Sequence, residues 1–149
     1  MNHEAIAILR EHVAADPRSF RSHLAEALYN HASLLVEAQK QYEALVAINE
    51  ATDIYWELAA ADPERFRQEF AESLYNKSVM HYELRQPTEG LAAAREAIKI
   101  YCGLAADQPG KFNRDLAAAL HIQSVLLFNL LQWFSGLSAA EEAVALYRE

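Results

Sequence analysis

Tyr75, Val79 and Tyr82 stand at i, i+4 and i+7, so a helix through this segment would place two phenol rings and a branched aliphatic side chain on one face. Rigid aromatic side chains give contact area at low entropic cost, which is the chemistry of binding a peptide or helix rather than of turnover. Turnover would need other groupings. The six histidines, at 3, 12, 23, 31, 81 and 121, include no i, i+4 pair and no Cys or carboxylate arrangement at metal-ligand spacing, so no metal site is expected. Cys102 has no histidine near it in sequence and reads as a quiet, partly buried thiol. The 4 glycines are scattered and form no phosphate-cradling loop, and Glu141 and Glu142 sit at the spacing of a solvated helix surface. The expectation is a chain with no catalytic residues and no cofactor.

The charge balance points the same way. Thirteen Lys and Arg against 21 Asp and Glu give a net charge of −8, which repels a phosphate backbone unless the bases cluster. Arg18, Arg21, Arg65, Arg67 and Arg85 are instead interleaved with acidic, polar and apolar residues, so no nucleic-acid partner is expected. A single cysteine forms no intrachain disulfide, and no charged-then-apolar leader is present, so the default location is a reducing cytoplasm. The most apolar stretch, residues 125–137 (VLLFNLLQWFSGL), is broken by Asn129 and Gln132 and fits a helical hairpin better than a membrane span.

The elements that must position these side chains are set by a repeat. Pro17, Pro63 and Pro109 are 46 residues apart, as are Phe20, Phe66 and Phe112, then Leu28, Leu74 and Leu120, and finally Tyr55, Tyr101 and Tyr147. Three copies without a gap at this period point to a solenoid of stacked units. Residues 1–15 align with the second half of a unit, giving a half-unit (1–15) and three units (16–61, 62–107 and 108–149) in one domain.

Each unit splits into two helices. Asp16 and Asp62 precede Pro17 and Pro63, an N-cap acceptor followed by the residue best tolerated at the first helical position. In the third copy Gln108 occupies the cap position before Pro109, which predicts a weaker start. Phe20, Leu24, Leu28, Ala32 and Leu35 keep helical spacing until the pattern breaks at residues 39–41. A second helix from about Tyr42 to Ala61 turns Leu45, Ile48, Ala51, Tyr55 and Leu58 inward, with Glu43, Glu50, Asp53 and Glu57 outward. Residues 85–88 and 131–134 mark the same turn in later copies, and no strand signal appears, so seven helices are expected.

The third turn differs by carrying Trp133 and Phe134 beside Leu130, Leu131 and Leu137. Large apolar residues at a turn are exposed unless something covers them: a further repeat, a second copy of the chain, or the hairpin itself.

Within each unit a small residue follows a leucine in the first helix, a small residue opens the second, and an alanine comes seven later: Leu28, Ala32, Ala44, Ala51; Leu74, Ser78, Gly90, Ala97; Leu120, Ser124, Gly136, Ala143. This pattern, which covers the whole chain, resembles the tetratricopeptide repeat, and its long period is similar to that of kinesin-light-chain-type and bacterial or fungal long-period arrays. The resemblance implies an all-α right-handed superhelix of helical hairpins, a non-catalytic scaffold whose first helices line a concave groove. Carried onto this chain, the implied groove residues are Tyr29, Ser33 and Val36, then Glu72, Tyr75, Asn76, Val79 and Tyr82, then His121, Val125 and Phe128. The same rings could instead pack against one another. Of the family's carboxylate-clamp positions Asn76 alone agrees, so binding of chaperone tails is not expected.

His31, Lys77 and Gln123 stand where the family has a leucine; they either snorkel to an edge or form a polar column inside the superhelix. The implied function is uptake of a protein or peptide segment. The alternatives are self-association through Trp133 and Phe134, and a regulatory sensor arm of a larger signalling protein.

Overall fold

The computed structural model describes residues 2–148, and for Asn2, His3, Pro17, Arg18 and Ser19 the backbone alone, so the expectations for the His3, Pro17 and Arg18 side chains lie outside the described residues. Seven α-helices follow one another: α1 (Asn2–Ala15), α2 (Pro17–Glu37), α3 (Gln41–Ala61), α4 (Pro63–Glu83), α5 (Pro87–Asp107), α6 (Asn113–Asn129) and α7 (Trp133–Arg148). No strand occurs among the described residues. The chain divides into two compact units, Met1–Ser73 and Leu74–Glu149, so α4 supplies its first half to one and its second half to the other.

Helix starts follow local chemistry. Asp62 caps α4: its Oδ1 accepts the Arg65 N–H at 3.3 Å and its carbonyl accepts the Phe66 N–H at 3.1 Å, with Pro63 at the first helical position, where it has no N–H to lose. The third copy departs further than a weak cap. There α5 runs on through Asp107, and α6 does not begin until Asn113. Without an Asp directly before Pro109 the chain makes a turn instead, in which the Lys111 N–H reaches the Gln108 carbonyl at 3.3 Å and Gly110 takes φ +83°. Phe112 stands at the N-cap position of α6 and is itself buried.

The turns inside each pair share one geometry. Gln39, Arg85 and Leu131, spaced by 46, adopt φ of 62°, 60° and 59°. At each, the next residue's N–H bonds a carbonyl five residues back (Lys40 to Leu35, Gln86 to His81, Gln132 to Leu127), and the turn residue bonds the carbonyl three back. This is the Schellman closure, which satisfies the last carbonyls of a helix by sending one residue left-handed. Glycine is the usual occupant, and none of the three positions has it.

In the first unit α2 packs on both α1 and α3. Leu24, Leu28, Ala32 and Leu35 from α2 and Ile48, Ala51 and Tyr55 from α3 are buried, while Leu45 and Leu58 are half-buried. In the second unit α6 packs on both α5 and α7, and Leu91, Ala94, Ile122, Leu126 and Leu127 form one apolar cluster. All twelve positions of the small-residue pattern are buried. The reason is close approach: a Cβ on Gly90 would meet Leu126 Cδ2 at 3.1 Å, and His81 Cβ and the Ser78 carbonyl at 3.2 Å.

Candidate interaction surfaces

The first unit brings two of the expected groove residues into one cleft. Tyr29 on α2 and Glu72 on α4 line a cleft of about 410 Å3, whose walls also include Glu26, Tyr55, Glu69 and Arg65. Three carboxylates therefore face two phenols, with one guanidinium at the rim, held over the Phe66 ring at 4.9 Å. Tyr55 is the buried member. Desolvation first, and then the negative charge of Glu26 and Glu69 with Tyr29 and Glu72 beyond, push its phenol well above the ordinary tyrosine range. Glu69 Oε2 is shut off from solvent and has no hydrogen-bond partner among the described residues. The cleft therefore has unmet capacity for a hydrogen-bond donor carrying positive charge. Ser33 and Val36 lie further along α2: Ser33 is exposed, with its hydroxyl donating to the Tyr29 carbonyl at 3.3 Å, and Val36 is half-buried.

The second unit treats its groove residues differently. Tyr75 and Val79 pack against the Leu91, Ala94, Ile122, Leu126, Leu127 cluster and are half-buried, which is the packing alternative left open by the sequence. Burial first, and the neighbouring Tyr147 second, raise the Tyr75 phenol pKa. Asn76 and Val125 are also half-buried, whereas Tyr82, His121 and Phe128 are exposed. His81, two residues past Val79, is buried and bonds Gln86 Oε1 through Nδ1 at 2.8 Å, a local tie across the α4–α5 turn that periodicity could not single out.

The residues at the substituted leucine position are half-buried. His31 lines a cleft of about 280 Å3 with Leu28, Leu35, Ala47 and Glu50, the last held by Arg10 at 2.6 Å. Gln123 lines a cleft in the second unit with Leu127, Ala139 and Glu142, the residues 92 positions on from Leu35, Ala47 and Glu50.

Trp133 turns back onto its own hairpin, where its ring meets that of Phe128, but Phe134 is 92% exposed. Cys102, which the sequence reads as partly buried, is exposed, though partial desolvation of its sulfur first and Glu142 second raise the thiol pKa, which disfavours the nucleophilic thiolate. Among the described residues no group of His, Cys, Asp and Glu could hold a metal ion, and no helix is long and apolar enough to cross a membrane.

No family model and no curated protein matches the chain. Among solved structures, a crystal structure of MamA aligns with 99% of this chain and 89% of that one, at a TM-score of 0.42 and 12% identity. A likeness that distant transfers no function.

Proposed function

We propose that the chain is a non-catalytic protein-interaction module of the tetratricopeptide type, which takes up an extended or helical partner segment on side chains of its first helices. The observation that carries this reading is the first-unit cleft, where Tyr29 and Glu72, on two different helices, come together around Tyr55. Aromatic walls with Glu26, Glu69 and Glu72 fit a partner segment that presents a Lys or Arg side chain between apolar residues. In the second unit, taken by itself, Tyr82, His121 and Phe128 are exposed.

The test is a peptide array read by fluorescence anisotropy. Basic peptides should bind and their Glu-substituted copies should not; Tyr29→Ala with Glu72→Gln should weaken binding while circular dichroism shows the helices intact. If those two changes, and Tyr75→Ala with Tyr82→Ala, left binding to every identified peptide unchanged in a folded protein, the groove reading would be lost.

A second reading is favoured by Phe134. A ring this exposed beside Leu131 and Trp133 suits self-association, which light scattering at several concentrations decides: a strictly monomeric protein sinks it.

A further inference from the structure

The first-unit cleft holds an acceptor that the chain itself leaves unused. Glu69 Oε2 is shut off from solvent and has no hydrogen-bond partner among the described residues. The other two carboxylates are placed differently: Glu26 is exposed, and Glu72 is half-buried, its Oε1 accepting the Gln68 side-chain amide N–H at 2.8 Å. Tyr55, only 6% exposed, and the half-buried rings of Tyr29 and Phe66 supply aromatic surface to the same cleft. A carboxylate oxygen taken out of water without a donor costs free energy that a bound cation with N–H groups recovers. This arrangement belongs to the one cleft and not to the repeat, because 46 residues on from Glu26, Glu69 and Glu72 stand Glu72, Asp115 and Ala118.

We propose that the cleft selects the guanidinium of an arginine on the partner segment over the ammonium of a lysine, and that Glu69 is the residue that sets the preference. The inference rests on the reading of this cleft as the seat of a basic side chain. An ammonium is compact and strongly hydrated; paired with exposed Glu26 it keeps much of its water and gains little from a buried oxygen. A guanidinium is more weakly hydrated, carries more N–H donors in a single plane, and stacks on aromatic faces while its edge bonds a carboxylate. It can therefore lie along the Tyr29 and Tyr55 rings and still donate to both Glu69 and Glu72. The rim already holds one guanidinium on a ring: Arg65 sits over Phe66 at 4.9 Å and leaves Glu69 Oε2 unmet.

The test uses the whole chain and labelled peptides of sequence Gly-Leu-Ala-Arg-Ala-Leu-Gly, together with copies in which the Arg is replaced by Lys or by citrulline, which keeps the shape and loses the charge. By fluorescence anisotropy the Arg peptide should bind, with the Lys peptide weaker by about fivefold or more and the citrulline peptide by about tenfold or more. In Glu69→Gln, with the helices intact by circular dichroism, the Arg and Lys peptides should come within about twofold of each other. A merely structural role for Glu69 would weaken both peptides and leave their ratio in place, which overturns its assignment. Equal affinity of the unmodified chain for the Arg and Lys peptides overturns the selectivity, needs no variant to fold, and leaves the underlying reading standing. Failure of both to bind overturns the inference together with that reading. A citrulline peptide as tight as the Arg peptide would show that shape and not charge is recognised, and N-acetylarginine amide as tight as the Arg peptide would make a free guanidine the ligand; either result overturns the proposal.

Discussion

The rings of Phe128 and Trp133 lie 5.2 Å apart, centroid to centroid, at an interplanar angle of 41°. They close the α6–α7 turn from either side of Leu131, and each remains more than half exposed. Trp133→Ala should therefore destabilise the protein by only about 1 kcal/mol, an aromatic pair's worth plus partial area. Urea unfolding of Trp133→Ala, Phe128→Ala and the double variant checks this: a coupling energy near zero would show that the rings are neighbours without being partners.

Gln39, Arg85 and Leu131 hold left-handed backbone that a Cβ disfavours. Glycine relieves that strain but loosens the unfolded chain, so each substitution to Gly should stabilise by a net of roughly 0.5–1 kcal/mol. Leu131→Gly also removes an exposed apolar side chain at no cost in core packing. Denaturant midpoints of the three variants read the effect directly, and a loss of stability at all three would contradict the turn geometry.

Gly90→Ala and Gly136→Ala should part company. A helix interior ordinarily gains about 1 kcal/mol from Gly→Ala. At Gly90 the new methyl meets three neighbours at 3.1–3.2 Å, one of them backbone, and the expected outcome is a net loss of about 1–2 kcal/mol. At Gly136 one contact is that tight, the Ser124 carbonyl at 3.1 Å, and the others are 3.5 Å, so the change should be nearly neutral. Thermal unfolding of the two variants side by side distinguishes them.

Tyr55 makes stability depend on alkaline pH. Its folded pKa lies above the unfolded value of about 10, so the folded state keeps the proton that the unfolded chain gives up. The resulting stabilisation is fully present below about pH 10 and is lost as pH rises through the folded pKa. Tyr75 adds to this in the same direction. Tyr55→Phe should flatten the fall in stability between pH 9 and 11 relative to the unmodified protein (a range set by the phenol reference value of about 10), as measured by urea unfolding at each pH.

Much of this architecture can be read without coordinates. The 46-residue spacing matches the turns at Gln39, Arg85 and Leu131, and Asp62 with Pro63 starts α4 by supplying an acceptor and removing an unusable donor, effects confined to one turn of chain. Burial of Leu28, Ala32 and Ala51 follows from helical spacing, whereas that of Ala44, Gly90 and Gly136 is what the tetratricopeptide resemblance implied. Local rules erred at Pro109, where a cap displaced by one residue delayed the helix to Asn113. The site was less legible. Tyr29 and Tyr75 occupy one repeat position, yet Tyr29 lines an open cleft and Tyr75 leans on an apolar cluster.

What the sequence determined by itself is the number of helices, the turns inside each pair and the apolar face of each helix, because these rest on interactions within a few residues or on a period that repeats them. Tertiary structure decided which copies of a repeated face are occupied. Leu91 and Leu137 are the same residue type in the same register, and helical spacing alone assigns both to the apolar face of their helices. Exposure separates them because burial depends on whether another helix, distant in sequence, removes that surface from water. The same holds for Tyr55, whose raised pKa owes part of its rise to the carboxylates of Glu26 and Glu69, neither near it in the chain.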